Sequence, residues 1–251
     1  VIGTARALIE VADGVHVATS KVMATTSTVV AGPGGVLLVD PSWVPSELDA
    51  LATALDERDW PVVGGFATHA HHDHLLWHPR FGDAPRWASP RTAELARSER
   101  ASLLESLGAG WPDELVDLFG RVEPTLGFDE RIELVVHDGH APGHTALWLA
   151  DQLVLVAGDM LSDREVPLPF GPDDLPAYLA GLDRLAPYVA RAAVLVPGHG
   201  TPTTDPAARL DADRRYLDEV VAGRVPEDER LADAENRAEY EHLAEMVRAT
   251  G

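Results

Sequence analysis

The chain has no cysteine, which excludes disulfides, zinc–thiolate sites, iron–sulfur clusters and a thiol nucleophile together. Lysine is nearly missing as well: Lys21 is the only one, and the formal net charge is −21 at pH 7. The arginines are dispersed among acids, as in Arg97-Ser98-Glu99-Arg100 and Asp213-Arg214-Arg215. Without a concentrated basic patch a surface this acidic repels polyphosphate, so nucleic-acid partners are not expected. Long apolar runs are lacking too; Leu153 to Ala157 and Ala192 to Val196 have strand lengths, which argues against a membrane partner. There is no repeat at a solenoid period and no low-complexity linker. The lack of cysteine leaves the compartment open; a cytoplasmic location is the expectation, with export behind a removed signal peptide as the alternative.

What is present suits one α/β (α+β) domain over residues 1–251, with a helical C-terminal segment from about 205 to 251. The length of 251 residues and the 45% apolar share are enough to bury a core without covalent staples. Strands are expected at Val15–Thr19, Thr28–Ala31, Val36–Val39 and Val62–Thr68. A helix opens at Pro45 with Leu48, Leu51 and Leu55 on one face. Ser89-Pro90 is an N-cap and first-turn pair for a helix running to Leu107, and a short helix is expected over 111–120. A second β-rich block follows at Ile132–His137, Ala146–Ala150 and Leu153–Ala157, with a hairpin around Asp151-Gln152. Then come a helix over Leu175–Tyr188, a buried strand at Ala193–Val196 and two amphipathic tail helices separated near Gly223 and Pro226. Strands followed by helices, twice, predict two β-sheets packed together with helices on their outer faces.

Chemistry concentrates in His69-Ala70-His71-His72-Asp73-His74, at the end of the Val62–Thr68 strand. Imidazole and carboxylate at this spacing can hold two divalent ions close together, and such a pair makes water a nucleophile at neutral pH. Three later residues share one setting, a polar side chain at a strand end beside glycine: His144 in Pro142-Gly143-His144-Thr145, Asp159 after Gly158, and His199 in Gly198-His199-Gly200.

This combination resembles the metal signature of the metallo-β-lactamase superfamily, over a span from Asp40 to Gly200. The resemblance implies an αββα sandwich and a site of seven ligands. His69, His71 and His144 would hold the first ion; Asp73, His74 and His199 the second; Asp159 would bridge both, with a bridging hydroxide completing the site. Two divalent ions are implied, Zn²⁺ first and Fe or Mn as alternatives, because every donor is nitrogen or oxygen. Asp40 matches the superfamily's first motif and would lie behind the ligands, holding an imidazole in the required tautomer. Asp73 is the catalytic candidate, orienting the nucleophile and relaying a proton to the leaving group.

The chain departs from better-known relatives at Leu75-Leu76-Trp77, where many superfamily hydrolases carry a glycine pair. Trp77 is therefore a candidate wall of the substrate pocket, or else core packing. Trp43, near Asp40, and Ser162, where related lactonases carry tyrosine, are further pocket candidates. The proline-rich loop from Ser162 to Gly171 is a candidate lid. His140 and His78 are candidates for supporting contacts, His72 should point away from the ligands, and His16, His137 and His242 read as structural. The tail is acidic, unlike the basic region with which glyoxalase II-like thioesterases grip glutathione. The function expected is a dinuclear metal-dependent hydrolase of a small ester, thioester, lactone or similar molecule. Alternatives are an iron-dependent, persulfide dioxygenase-like member, a lactonase or β-lactamase specifically, and a non-catalytic metal-binding protein. The two tail helices could also form a homodimer face.

Overall fold

Alternation along the strands sorts the apolar side chains onto two faces, and that alternation sets the layering. In the computed structural model, which describes residues 6–169 and 174–250, the first sheet has seven strands in sequence order. They are β1 (Ile9–Ala12), β2 (Val15–Thr19), β3 (Thr26–Gly32), β4 (Gly35–Val39), β5 (Val62–Phe66), β6 (Arg86–Ala88) and β7 (Glu123–Pro124). Pairing is antiparallel from β1 to β4 and parallel from β4 to β7. The second sheet holds β8 (Ile132–Val136), β9 (Thr145–Leu149), β10 (Val154–Gly158) and β11 (Val194–Pro197), in the order β11-β10-β9-β8. Only its β10–β11 pair is parallel.

Between the sheets lie Val15, Val17, Val30, Leu37, Val39 and Phe66 from the first, against Leu147, Leu149, Val154, Val156, Val194 and Val196 from the second. The residues one step out of phase face the helices. Val36 and Leu38 meet Leu48, Leu51 and Leu55 of α1 (Pro45–Asp56). The same outer core takes in Ala93 and Ala96 of α2 (Pro90–Ser98), flanked by α3 (Arg100–Leu107) and α4 (Asp113–Leu118). On the other side Ala146, Trp148, Leu155 and Leu195 pack under α5 (Asp174–Val189), α6 (Pro206–Val221) and α7 (Ala234–Thr250). The architecture is the expected helix–sheet–sheet–helix sandwich, with both sheets mixed.

Two details differ from the sequence expectation. The helix from Pro90 to Leu107 is broken at Glu99 (φ −105°, ψ 12°). The bend lets the Arg100 guanidinium donate to the carbonyls of Val116 and Phe119 at the end of α4, so a tertiary contact redirects a helix that local propensity would continue. Strands β1, β6 and β7 have no alternating pattern long enough to read, and β7 is only two residues long. Among the described residues no helix is long and apolar enough to cross a membrane.

This topology decides where chemistry can occur. The carboxyl ends of β4, β5, β10 and β11 emerge at one edge of the sandwich, as ligand-bearing loops do in parallel α/β sheets. Backbone hydrogen bonds join the two sheets there: Thr145 N to Thr68 O at 2.9 Å, and Thr26 N to Gly198 O at 2.7 Å.

Candidate metal centre

Each polar side chain at this edge is placed by the end of a strand. Asp40 follows β4, the His69–His74 stretch follows β5, His140 and His144 lie in the β8–β9 connection, Asp159 follows β10 and His199 follows β11. The loops approach closely because glycine flanks them. A Cβ on Gly158 (φ +56°) would collide with His144 Nε2, and one on Gly198 would overlap Asp159 Oδ1.

Asp40 is the anchor behind the cluster. Its Oδ1 accepts from Thr68 N at 2.8 Å, and its Oδ2 from Thr68 Oγ1 at 2.6 Å and His74 Nδ1 at 2.9 Å. Thr68 Oγ1 in turn accepts from His69 Nδ1 at 3.0 Å. His199 Nδ1 donates to Met23 O at 3.0 Å. Three imidazoles thus commit Nδ1–H outward and turn Nε2 toward one centre, the tautomer that metal-binding histidines need.

Donor atoms converge in two main groups, and a third overlaps them by bringing Glu165 to Asp159 and His199. One atom each from His69, His71, His140 and Asp159 lie within 4.8 Å of one another, as do atoms from Asp73, His74 and His199. Asp159 links the groups: its Oδ2 lies 3.3 Å from His69 Nε2, 3.3 Å from His140 Nε2 and 3.4 Å from His199 Nε2, while Oδ1 lies 3.2 Å from His74 Nε2. Asp73 Oδ2 is 3.1 Å from His199 Nε2 and 3.4 Å from His74 Nε2.

The electrostatics suit cations. Burial, with neighbouring imidazoles, holds His69 well below its usual value and pushes His71 down to about 3, leaving neutral lone pairs. Burial opposes protonation of His74 and His199 too. There the carboxylates of Asp159 and Asp73 outweigh it, holding His74 well above its usual value and pushing His199 up to about 11. The buried carboxylates therefore favour positive charge at this point of the fold. His69 Nε2 and Asp159 Oδ1 are buried without any hydrogen-bond partner. Orphaned donors beside anionic oxygens, with no sulfur in the set, fit hard or borderline divalent ions.

The placement departs from the sequence reading at one histidine. Asp138-Gly139-His140-Ala141-Pro142-Gly143-His144 contains Gly-His twice, and it is the earlier histidine whose Nε2 joins the first cluster. His140 takes a left-handed φ of +68°, and its Nε2 also lies 3.1 Å from His71 Nδ1. His144 sits behind: its Nε2 accepts from Asp159 N at 3.1 Å, and its Nδ1 is 3.3 Å from His137 Nε2. The doubled Gly-His was the available signal.

The pocket candidates are placed as follows. Trp77 is 2% exposed, in the core under the helices, against Gly65 and beneath the Arg86 guanidinium. It packs the sandwich and does not wall the site. Trp43 is buried, with its ring edge-on to the half-buried His72 at 5.2 Å. The Ser162 hydroxyl is turned inward: Oγ donates to His199 O at 2.7 Å and accepts from the backbone of Arg164 and Glu165. Of the candidate lid, Phe170 and Gly171 lie outside the described residues.

Two neighbours escape sequence reading. Thr25 Oγ1 lies 3.4 Å from Asp73 Oδ2, brought there by the isolated bridge between Thr25 and His199. Glu165 Oε1 lies 3.5 Å from His199 Nδ1, and burial pushes its carboxyl up to about 6. In the sequence it is marked by its place in the candidate lid loop, six residues after Asp159.

Similar solved structures share this architecture. A metallo-β-lactamase family protein from Thermus thermophilus is 23% identical, with a TM-score of 0.65 over 95% of this chain and 93% of its own. A β-lactamase domain protein from Burkholderia ambifaria is 18% identical, with a TM-score of 0.68 over 96% of this chain and 87% of its own. TTHA1623, solved in a di-iron-bound form, is 24% identical, with a TM-score of 0.60 over 77% of this chain and 97% of its own. No curated protein matches the chain. At these identities the likeness establishes the fold. The model of the metallo-β-lactamase superfamily matches residues 21–211, more than half of the chain. The chain therefore belongs to the metallo-β-lactamase superfamily of metal-dependent hydrolases, with two metal-binding clusters at the mouth of its sandwich.

Proposed function

We propose that the protein is a dinuclear metal-dependent hydrolase of a small ester, thioester, lactone or similar substrate. In this reading His69, His71 and His140 would hold one ion, Asp73, His74 and His199 would hold the other, and Asp159 would be shared between them. Zinc is the proposed metal, since imidazole and carboxylate donors without thiolate suit it. The observation that carries the reading is the Asp159 carboxylate, whose Oδ2 faces His69 and His140 while Oδ1 faces His74. One carboxylate shared between two imidazole groups is the arrangement a metal pair requires.

Bound there, two divalent ions supply a water that ionises near neutral pH and a Lewis acid for the oxygen that gains charge. The chain does the rest. Asp40, through Thr68 and His74, keeps the Nε2 atoms of His69 and His74 aimed inward, so an ion would displace any proton on Nε2 without a turn of either ring. Asp73 Oδ1, 4.0 Å from His72 Nδ1, is the carboxylate oxygen proposed to take a proton from water and pass it to the leaving group. The buried His144, accepting from Asp159 N, positions the shared carboxylate from behind. Residues 1–251 are proposed to form one domain. The tail supports this: Arg230 and Asn236 hydrogen-bond the loop after Asp159.

Metal analysis of protein purified without added ions, with a panel of esters, thioesters, lactones, β-lactams and phosphodiesters, tests the reading. About two zinc equivalents per chain and turnover abolished by chelation are expected. A single iron with oxygen consumption, or no metal and no turnover, refutes it. The same measurement separates the two histidines: His140→Ala should lose about one equivalent, whereas His144→Ala should keep both. The reverse pattern would return the ligand role to His144.

A further inference from the structure

Side chains from the tail hold the loop that runs from Leu161 to Val166. Leu161 N donates to Asp213 Oδ2 at 3.2 Å, and Arg230 Nη1 donates to Ser162 O and Glu165 O, both at 2.9 Å. Asn236 Nδ2 donates to Arg164 O at 2.7 Å, and Val166 N donates to Asn236 Oδ1 at 3.4 Å. Asp213 lies on α6, Arg230 just before α7 and the buried Asn236 in the first turn of α7. Buried backbone groups need such partners, and this loop takes them from side chains far along the chain. Leu161 takes a left-handed φ of +63°, a conformation that leucine keeps only where its surroundings impose it.

The held loop reaches back to a candidate ligand. Ser162 Oγ donates to His199 O at 2.7 Å, and Asp163 Oδ1 accepts from Thr201 N at 2.8 Å. The two strand-end loops that carry Asp159 and His199 are thereby tied side by side. Ser162 Oγ also accepts from Arg164 N at 2.9 Å and Glu165 N at 3.0 Å, which closes the loop on itself. The His199 ring is oriented by Met23 O, whereas its backbone is pinned by Ser162. Glycine flanks His199 on both sides, and Gly200 has a φ of +114°, so this short segment is stiffened by its ties rather than by its own backbone. The same loop brings Glu165 into the donor group that it forms with Asp159 and His199.

We propose that the tail positions one half of the metal centre: Asn236 and Ser162 are positioning residues that hold His199 where the ion shared with Asp73 and His74 would sit. Neither residue belongs to a donor group, and both act through the backbone of the loop. Partners behind a ligand set its aim, so their loss weakens the ion that this ligand holds and spares the other. The inference rests on the dinuclear reading above.

The test is stepwise zinc binding to the full chain, measured by competition with a chelator. Asn236→Ala should raise one of the two dissociation constants about tenfold or more and leave the other within about twofold. Ser162→Ala, which cuts the tie to His199 without touching the tail, should do the same and serves if Asn236→Ala fails to fold. His199→Ala should lose that same equivalent, and adding Asn236→Ala to it should leave the remaining constant unchanged, because the two act on one ion. Leu243→Ala, a buried cavity on α7 remote from the loop's hydrogen bonds, is the control for plain destabilisation and should not separate the two constants. Unchanged constants, or constants weakened equally as in the control, overturn the proposal. If wild type binds fewer than two ions, the dinuclear reading fails and amide exchange in the ion-free chain decides. Faster exchange at Gly200 and Thr201 in Asn236→Ala, but not in Leu243→Ala, supports the positioning role; equal exchange overturns it.

Discussion

Replacing Arg230 with Met should destabilise the fold by about 3–5 kcal/mol. Its guanidinium is buried against Asp213 at 2.7 Å and Asp228 at 2.7 Å, and it donates to the carbonyls of Ser162 and Glu165. Asp213 is 1% exposed, and among the described residues its one other donor is Leu161 N, at 3.2 Å. Methionine preserves much of the stem's packing but strands a buried carboxylate and two carbonyls. With a urea dependence of about 2–3 kcal/mol/M, the unfolding midpoint should drop by about 1–2 M.

The effect should depend on pH with a definite sign. Burial pushes the Asp213 carboxyl up to about 6, with Arg230 pulling the other way. The native state thus binds this proton more tightly than the unfolded chain, and Asp213's contribution worsens as pH rises from about 4 through 6. Removing Arg230 raises the folded value further, so the deficit of the variant should be smaller at pH 5 than at pH 8. Asp213→Leu combined with Arg230→Met should recover most of the loss, because no unpaired charge remains. Urea melts at both pH values decide. A deficit below about 1 kcal/mol and equal at pH 5 and 8 would refute the buried-pair reasoning and make this a solvated contact.

Two further outcomes follow from the same geometry. Asp40→Asn keeps the shape but weakens the grip on Thr68 and His74, so metal affinity should fall about 10–100-fold with little change in circular dichroism; competition with a chelator measures it, and unchanged affinity would contradict the anchoring role. Trp77→Ala should cost about 3–5 kcal/mol in a thermal or urea melt while leaving KM near wild type, because the ring fills the helix-side core; a large KM change with little stability loss would put it back at the pocket.

Residues whose partners are near in sequence were readable in advance. His69, His71, Asp73 and His74 share one turn, and their spacing alone suggested two ions. The strands of both cores were equally plain, because alternation along Leu147–Leu149 or Val154–Val156 is local. What escaped depends on contacts across the fold. Which of His140 and His144 sends Nε2 toward the first donor group depends on where the β8–β9 connection meets Asp159, and two Gly-His pairs four residues apart look alike in one dimension. Trp77 lies three residues from His74 in the chain, yet the intervening turn carries it into the core against Gly65. Glu165 becomes visible only when Arg230 and Asn236, more than sixty residues later, are seen to hold its loop.

The candidate donors are divided between the sheets: His69, His71, Asp73 and His74 come from the first, and His140, Asp159 and His199 from the second. Ions held between them would be cross-links joining the two halves of the chain, reinforcing the Thr68–Thr145 and Thr26–Gly198 contacts at the same edge. Affinity for metal and adhesion between the sheets are then one quantity measured in two ways. Any substitution that loosens the interface between Leu37 and Leu147, however distant from a histidine, should surface as a weaker hold on the ions.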